Sequence, residues 1–290
     1  MTQPLFHKIV IFGVGLIGGS FALALRKANA VSEIVGFGRS SHTLQLAQQL
    51  GIIDRIGIDV ATELGDADLV LLATPVGQMA YLMAHIAPHL GPNTLITDGG
   101  STKGDVVVYA YSHLGNNISR FIPAHPIAGG EQSGAAAARA DLYQGKKVVL
   151  TPLPENAAEA VARVKQAWQL CGALVSELTA QQHDEIFAAV SHLPHLLSFA
   201  LVHDLAQRPN RDLLLSFAAS GFRDFTRIAA SSPEMWRDIS LANRDALMRE
   251  LQQYAEELHV LFQALENNDA KKLEEIFQRA YLLRSSWTPQ

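Results

Sequence analysis

The stretch Ile9-Val10-Ile11-Phe12-Gly13-Val14-Gly15-Leu16-Ile17-Gly18-Gly19-Ser20 decides the fold of this chain. Its four leading apolar residues predict a buried parallel strand, and its glycines follow at the Gly-x-Gly-x-x-Gly spacing. Residues 16–25 then continue with helical character. This strand–turn–helix order is the context that the dinucleotide-binding fingerprint requires. A glycine-rich turn without a ligand is the alternative, and the position directly after the first strand favours the cofactor site.

Each glycine of the motif has a separate expected role. Gly13 allows a tight turn, Gly15 lets the backbone approach a pyrophosphate, and Gly18 lets the helix pack closely on the strand. Leu16 and Ile17 begin the helix, whose free N–H groups and positive dipole end are suited to phosphates. These five residues are therefore predicted cofactor contacts.

Composition narrows the class of protein. The 290 residues are enough for two domains, and an apolar content of 48% supports a large core. A net charge of −5 without a dense Lys/Arg run argues against nucleic acid or an anionic membrane as the main partner. The single cysteine, Cys171, fits a reducing compartment. With no signal peptide and no stretch judged long and apolar enough to span a bilayer, a cytoplasmic protein is predicted.

The chain divides into two regions by its periodicity. Residues 1–177 alternate strand and helix patterns and predict an α/β domain, a Rossmann-like doubly wound parallel sheet with helices on both faces. Residues 178–290 show only helical periodicity and predict an all-α domain. Expected strands cover 6–12, 33–37, 68–73, 94–97 and 147–150, and expected C-terminal helices cover 180–207, 212–230, 233–266 and 269–285. An apolar stripe from Leu247 to Leu265 faces either this domain's own core or a second subunit.

The end of the second strand bears on the choice of cofactor. An NAD site usually places an acid there to bind the ribose 2′-hydroxyl. Here the sequence reads Gly38-Arg39-Ser40-Ser41, and the nearest acid, Glu33, lies at the other end of the strand. Arg39 with Ser40 can hold a 2′-phosphate by charge-assisted hydrogen bonds. NADP is therefore favoured, and NAD is the alternative if Arg39 is only a solvated loop residue.

Three further strand ends carry candidate site residues, because ligands bind outside the carboxyl ends of the strands in an open parallel sheet. Thr74-Pro75 and Gly99-Gly100-Ser101 are expected to flank the cofactor. His125 begins the loop His125-Pro126-Ile127-Ala128-Gly129. A histidine here is a candidate general base because its pKa lies near working pH, although a lone histidine is more often structural.

A histidine cluster lies in the first C-terminal helix. The segment Ser191-His192-Leu193-Pro194-His195 places its two histidines on one face of a helix that Pro194 should kink. No third ligand or activating Glu follows at motif spacing. No metal site is therefore predicted, and contact with a substrate is favoured.

Two later features could also contact a substrate. Arg223 and Arg227 are four residues apart and share a helix face, which suits either a substrate carboxylate or a salt bridge to Asp224. Trp236 could wall a ring-binding pocket or fill the core.

Together these motifs resemble the prephenate and arogenate dehydrogenase family of tyrosine biosynthesis. The resembling stretches run in the family's order from residue 9 to residue 239. The pairing of His-Pro-Ile-Ala-Gly with Ser-His-Leu-Pro-His is their most specific part. The stretches are the glycine motif, 98–103, 125–129, 191–195, 224–229 and 235–239.

The resemblance implies a reaction and a role for each matching residue. The reaction is oxidative decarboxylation of a cyclohexadienyl substrate, with hydride transfer to a nicotinamide and loss of CO2. His125 is similar to the residue that takes the hydroxyl proton, and Ser101 to the residue that orients His125 and the hydroxyl. Arg227 is similar to the carboxylate-binding arginine. The residues similar to those that line or close the substrate pocket are Ser191, His192, His195 and Trp236. The resemblance also implies a homodimer formed through the C-terminal helices.

Several alternatives stay open at this point. Prephenate and arogenate differ by a keto against an amino group, and the sequence does not choose between them. β-Hydroxyacid dehydrogenases and pyrroline-carboxylate reductases join the same two kinds of domain but usually lack the Ser-His-Leu-Pro-His element. A non-catalytic dinucleotide sensor is a third class, with the acidic charge counting against a DNA-binding version. No appended regulatory domain is expected, so any inhibition by tyrosine would act at the active site.

Overall fold

The computed structural model describes residues 3–130 and 132–288. Its N-terminal half is built on six parallel strands: β1 (Phe6–Phe12), β2 (Val31–Phe37), β3 (Arg55–Ile56), β4 (Leu69–Leu72), β5 (Leu95–Asp98) and β6 (Phe121–Ile122). They lie in the order β3-β2-β1-β4-β5-β6. The chain therefore winds outward in both directions from β1, and the carboxyl ends of β1 and β4 form the switch point at which such sheets bind ligands.

Helices cover both faces of this sheet, as predicted: α1 (Leu16–Lys27), α2 (Ser41–Gln49), α3 (Val60–Leu64), α4 (Met79–Ile86), α5 (Gly104–His113) and α6 (Ala158–Leu170). One apolar cluster packs Phe21 and Trp168 against one face, and a second packs Met79, Met83 and Val106 against the other. The short elements β3 and α3 were not predicted, because two and five residues are too few for a periodic pattern.

The predicted strand at 147–150 exists but does not extend the parallel sheet. β7 (Ala124–Pro126), β8 (Lys147–Leu150) and β9 (Leu174–Glu177) form a separate three-stranded sheet, with β7 antiparallel and β9 parallel to β8. Pro123 has no N–H to continue the ladder after β6, and the chain turns there toward β8. This turn places His125 beside the carboxyl end of β5 while pairing it with Val149.

The first C-terminal helix is a continuous rod over Ala180–Ala206. It consists of α7 (Ala180–Phe187), a π-helical turn at Ala188–His192 and α8 (Leu193–Ala206). Pro194, which has no N–H, lies in the first turn of α8, and Leu193 separates it from the π-helical turn. The predicted irregularity therefore takes the form of a π-turn in the helix.

The rest of the C-terminal region contains more and shorter helices than the sequence predicts. They are α9 (Arg211–Ser216), α10 (Ser220–Thr226), α11 (Pro233–Ala242), α12 (Arg244–Glu266) and α13 (Ala270–Ser286). The expected helix over 233–266 breaks at Asn243. The buried Asn243 side chain donates to the backbone carbonyl of Asp184 at 2.7 Å, so a tertiary hydrogen bond holds the break.

The expectation that no stretch is long and apolar enough to span a bilayer is wrong. Among the described residues, the rod Ala180–Ala206 meets that test by length and composition, and 28% of its apolar window is buried. The same rod carries the polar residues His183, Asp184 and His192, which are buried against the rest of the chain.

Candidate active site

The glycine motif forms a turn between β1 and α1 that fits a dinucleotide. Gly13 has φ +97°, and a Cβ there would lie 2.5 Å from the carbonyl oxygen of Ala73. A Cβ on Gly18 would collide with the carbonyl oxygen of Gly13, so α1 packs against the turn only with glycine. A Cβ on Gly15 would meet no protein atom within 4 Å, and this open space lies at the N-terminus of α1. The geometry agrees with the tight turn expected at Gly13 and the close helix packing expected at Gly18, and the pyrophosphate contact of Gly15 stays a prediction.

The ends of β4 and β5 line the same space. Thr74 and Pro75 follow β4, and the Thr74 hydroxyl is buried without a hydrogen-bond partner in the described chain. A Cβ on Gly99 would lie 3.1 Å from the Cγ2 of Ile17, so the end of β5 touches the start of α1. The predicted cofactor residues of three strands therefore meet at one edge of the sheet.

The end of β2 carries Arg39 and Ser40, within a stretch of sequence, residues 34–53, that contains no acid. Arg39 is exposed, while the Ser40 hydroxyl accepts a hydrogen bond from the Thr43 N–H at 3.2 Å and caps α2. Glu33, the nearest acid in sequence, accepts a hydrogen bond from Arg55 Nε at 2.6 Å at the far end of the strand. Glu33 is therefore engaged away from the carboxyl edge.

A buried ion pair holds the chain segment that leads into His125. Asp98 and Lys103 are both fully buried, and the Lys103 ammonium bonds the Asp98 carboxylate. The other carboxylate oxygen of Asp98 accepts the N–H of Ala124 at 2.9 Å, and the N–H of Gly100 bonds the carboxylate at 2.8 Å. Asp98 thereby ties the residue before His125 to the end of β5.

His125 lies at the head of a chain of three side chains. Its Nδ1 is 2.8 Å from Nε2 of His183, and Nδ1 of His183 is 2.8 Å from Oδ1 of Asp184. The Asp184 carboxylate accepts the N–H groups of Lys103 at 2.8 Å and Gly104 at 2.7 Å. The start of the C-terminal domain is thus bonded to the N-terminus of α5.

Most of the predicted substrate residues cluster around the π-helical turn and the start of α8. His195 stacks on Trp236 with ring centroids 3.6 Å apart, and its Nδ1 donates to the carbonyl oxygen of Ser191 at 2.9 Å. His192 is buried, and its ring centroid lies 6.1 Å from that of Trp236. The structure therefore brings together Ser191, both histidines and Trp236, and the pKa of His195 also responds to the positive charge of Arg227.

Burial keeps these histidines neutral. Desolvation lowers the pKa of His125 well below its usual value, with the neighbouring His183, Lys103 and His192 acting in the same direction. Desolvation also lowers the pKa of His192 to about 4 and lowers those of His183 and His195. A neutral imidazole can accept a proton, so His125 has the protonation state that a general base needs.

Sequence reasoning missed His183, Asp184 and Asn243, and it expected Ser101 to orient His125. Ser101 is half-buried and makes no side-chain hydrogen bond to another described residue, whereas His183 bonds His125 directly. The adjacent His183-Asp184 pair just after a helix start was the available signal. No local motif links it to a residue 58 positions earlier.

Comparison with known proteins places this site in a family. The family description "Prephenate dehydrogenase, nucleotide-binding domain" matches residues 21–177, and "Prephenate dehydrogenase, dimerization domain" matches residues 179–279. The chain belongs to the prephenate dehydrogenase family. The resemblance drawn from the motifs is confirmed, as is the fold of a Rossmann-like domain followed by a helical one.

Individual members of the family are similar over nearly the whole chain. The prephenate dehydrogenase of Bacillus subtilis is 37% identical, with 94% of this chain and 74% of that protein covered. The cyclohexadienyl dehydrogenase of Zymomonas mobilis is 34% identical, with 97% and 96% covered. The prephenate dehydrogenase of Aquifex aeolicus, solved with hydroxyphenyl propionate and NAD+, has a TM-score of 0.90 at 34% identity, covering 98% of each chain.

Proposed function

We propose that this protein catalyses the oxidative decarboxylation of prephenate or arogenate with NAD(P)+, as a step of tyrosine biosynthesis. The observation that carries the proposal is the position of a neutral His125 where the dinucleotide cradle meets the helical domain. Membership of the prephenate dehydrogenase family supports the same reaction. The β-hydroxyacid dehydrogenase and sensor alternatives have no comparable support.

His125 acts as the general base. It accepts the proton of the C4 hydroxyl as the C4 hydride leaves, and a bound nicotinamide supplies the acceptor for that hydride. The bond from C1 to the carboxylate then breaks, CO2 leaves, and the electron pair enters the ring. The ring becomes aromatic, and the oxygen recovers a proton from His125 as a phenol. The low pKa of His125 makes it an acceptor that is not already protonated at neutral pH.

The remaining pocket residues bind the substrate. Arg227 pairs with a substrate carboxylate, because a guanidinium offers two parallel donors to it. Trp236 supplies a flat apolar wall already held by its stacking on His195. Ser191 and His192 complete the pocket, and Ser101 contacts the substrate hydroxyl beside His125.

NADP is the proposed preferred cofactor. Its 2′-phosphate would bind the Arg39 guanidinium and the Ser40–Ser41 turn at the end of β2, within a stretch of sequence, residues 34–53, that contains no acid. The other contacts of either dinucleotide are the glycine motif with Leu16 and Ile17, the Thr74-Pro75 turn and Gly99.

Replacing Arg39 by Ala tests the preference for NADP. The change should raise the KM for NADP about 10-fold or more and leave the KM for NAD unchanged, because one charge-assisted bond to phosphate is lost. Arg26, which pairs with Asp54 away from this turn, supplies the matched control Arg26→Ala. An unchanged NADP preference in Arg39→Ala would remove this residue from the account.

We further propose a cytoplasmic homodimer, with the domains dividing between residues 177 and 178. β9 ends at Glu177 and α7 begins at Ala180, which supports that boundary. The dimer is supported by exposed apolar side chains on α12 and α13 and by the family's dimerization domain. The cytoplasmic location is supported by the single cysteine, Cys171, which is buried and has no second cysteine in the chain to pair with.

A two-by-two assay tests the reaction. Prephenate or arogenate is supplied with NAD or NADP, and the reduced nicotinamide is followed by absorbance together with the aromatic product. Reduction with either substrate supports the proposal, and the fastest combination identifies substrate and cofactor. Four blank assays with folded protein that binds a dinucleotide would overturn it.

A further inference from the structure

The His125–His183–Asp184 chain contains two side chains that the reaction above does not use. His183 has no exposed surface and Asp184 is buried, yet both could ionise. Their hydrogen bonds lead from the start of α5 through α7 to the imidazole of His125.

The carboxylate of Asp184 determines the first hydrogen position in this chain. It accepts the N–H groups of Lys103 and Gly104 at the start of α5, and these bonds and His183 lower the pKa of Asp184 against the effect of burial. An ionised carboxylate can only accept. The Nδ1 of His183, 2.8 Å from Asp184 Oδ1, must therefore carry the hydrogen.

The second hydrogen position follows from the first. Burial lowers the pKa of His183, so its ring is neutral and has a single N–H. With that hydrogen on Nδ1, Nε2 of His183 is an acceptor. Nδ1 of His125 lies 2.8 Å from it and must be the donor. The Nε2 of His125 is then left with an unshared electron pair.

We propose that His183 and Asp184 are positioning residues that hold His125 as its Nδ1–H tautomer, so that Nε2 can accept the substrate proton. The opposite tautomer would place a hydrogen on Nε2 of His125 and make it a donor, which cannot act as the base. The proposal rests on the function of His125 proposed above. It also gives the imidazolium formed during turnover an acceptor at Nδ1.

The tautomer can be observed without turnover. Long-range 15N–1H correlation spectra of 15N-histidine-labelled wild-type protein distinguish a protonated from an unprotonated ring nitrogen. The His125 ring is identified among the 11 histidines as the signals lost in His125→Asn. We expect a protonated Nδ1 and an unprotonated Nε2 at neutral pH. A protonated Nε2 in His125 would overturn the proposal, whether or not the protein turns over any cyclohexadienyl substrate.

Three substitutions then test the consequence for catalysis. His183→Leu removes the acceptor, and kcat should fall roughly 10²- to 10⁴-fold while the KM for the dinucleotide stays unchanged. His183→Gln offers an amide oxygen to His125 Nδ1 and should recover most of that loss. His203→Leu makes the same change at an exposed position of α8 and should match wild type.

The outcomes separate this proposal from the reaction itself. A wild-type enzyme that turns over, with His183→Leu equally fast and folded, overturns the role of His183 and leaves the reaction intact. If His183→Leu fails to fold, the proposal is still tested by the tautomer of His125 in wild type and by the kcat of His183→Gln. A His183→Gln variant as slow as a variant lacking His125 would also contradict the proposal.

Discussion

At the scale of single residues, burial sets the protonation of the site. His125, His183, His192 and His195 all have lowered pKa values, and desolvation is the largest cause for each. Each of these rings is therefore neutral at neutral pH, with one N–H donor and one acceptor nitrogen. The positive charge of Arg227 also lowers the pKa of His195.

Arg227 is expected to bind the substrate carboxylate. In Arg227→Ala the substrate KM should rise about 10- to 100-fold, since a charged hydrogen bond is worth about 1.5–3 kcal/mol. The control is Arg223→Ala, an exposed arginine one turn earlier that faces Asp224 at 3.9 Å. Steady-state kinetics with saturating dinucleotide measure both. An equal KM in wild type and Arg227→Ala would mean that Arg227 is structural.

At the scale of elements, the end of β5 organises the site. Asp98 binds Lys103, Gly100 and Ala124 within a fully buried cluster, so one carboxylate joins β5, the start of α5 and β7. A buried charge left without its partner is costly, because water cannot solvate it.

Breaking this pair should destabilise the fold strongly. Asp98→Asn keeps an acceptor for the Ala124 N–H but leaves the Lys103 ammonium uncompensated, and we expect a loss of about 3–5 kcal/mol in the free energy of unfolding. Glu177→Gln breaks the half-exposed pair with Lys165 and should cost below about 1 kcal/mol. Urea unfolding curves compare the two. Equal midpoints would contradict the importance of the buried pair.

The elements that sequence predicted well are those with a long local pattern. The strand–glycine–helix motif is reproduced with β1 at Phe6–Phe12 and α1 beginning at Leu16. The separate sheet of β7, β8 and β9 was not predicted, because three- and four-residue strands reveal no partner. The site shows the same limit of sequence reasoning. His125 stands in a recognisable motif, whereas His183 contacts His125 only in the folded chain.

At the scale of the whole molecule, α12 and α13 expose large apolar side chains in the single chain. The stripe on α12 divides: Leu247 is buried in its own domain, while Leu258, Phe262 and Leu265 are about half or more exposed. On α13, Phe277, Tyr281 and Leu283 are also exposed. The first half of the stripe therefore serves the chain's own core, and the second half suits a partner subunit.

A charge on this surface should separate the subunits. Wild type is expected to be a dimer in sedimentation velocity at micromolar concentration, and Phe277→Glu a monomer, because the carboxylate would be buried unpaired. Ile58→Glu places the same charge on an exposed apolar residue of the N-terminal domain and should remain dimeric. A monomeric wild type would rule out this interface.

The pH dependence of kcat/KM in wild type and His125→Asn tests the central claim, that a neutral His125 is the base. Protonation of His125 at low pH removes the acceptor, and its lowered pKa means that wild-type kcat/KM should hold at pH 6.5 and fall only below it. His125→Asn should be slower by roughly 10²- to 10⁴-fold, with dinucleotide binding intact and that acidic fall abolished. Near-normal turnover in His125→Asn, or an unchanged acidic fall, would contradict the claim.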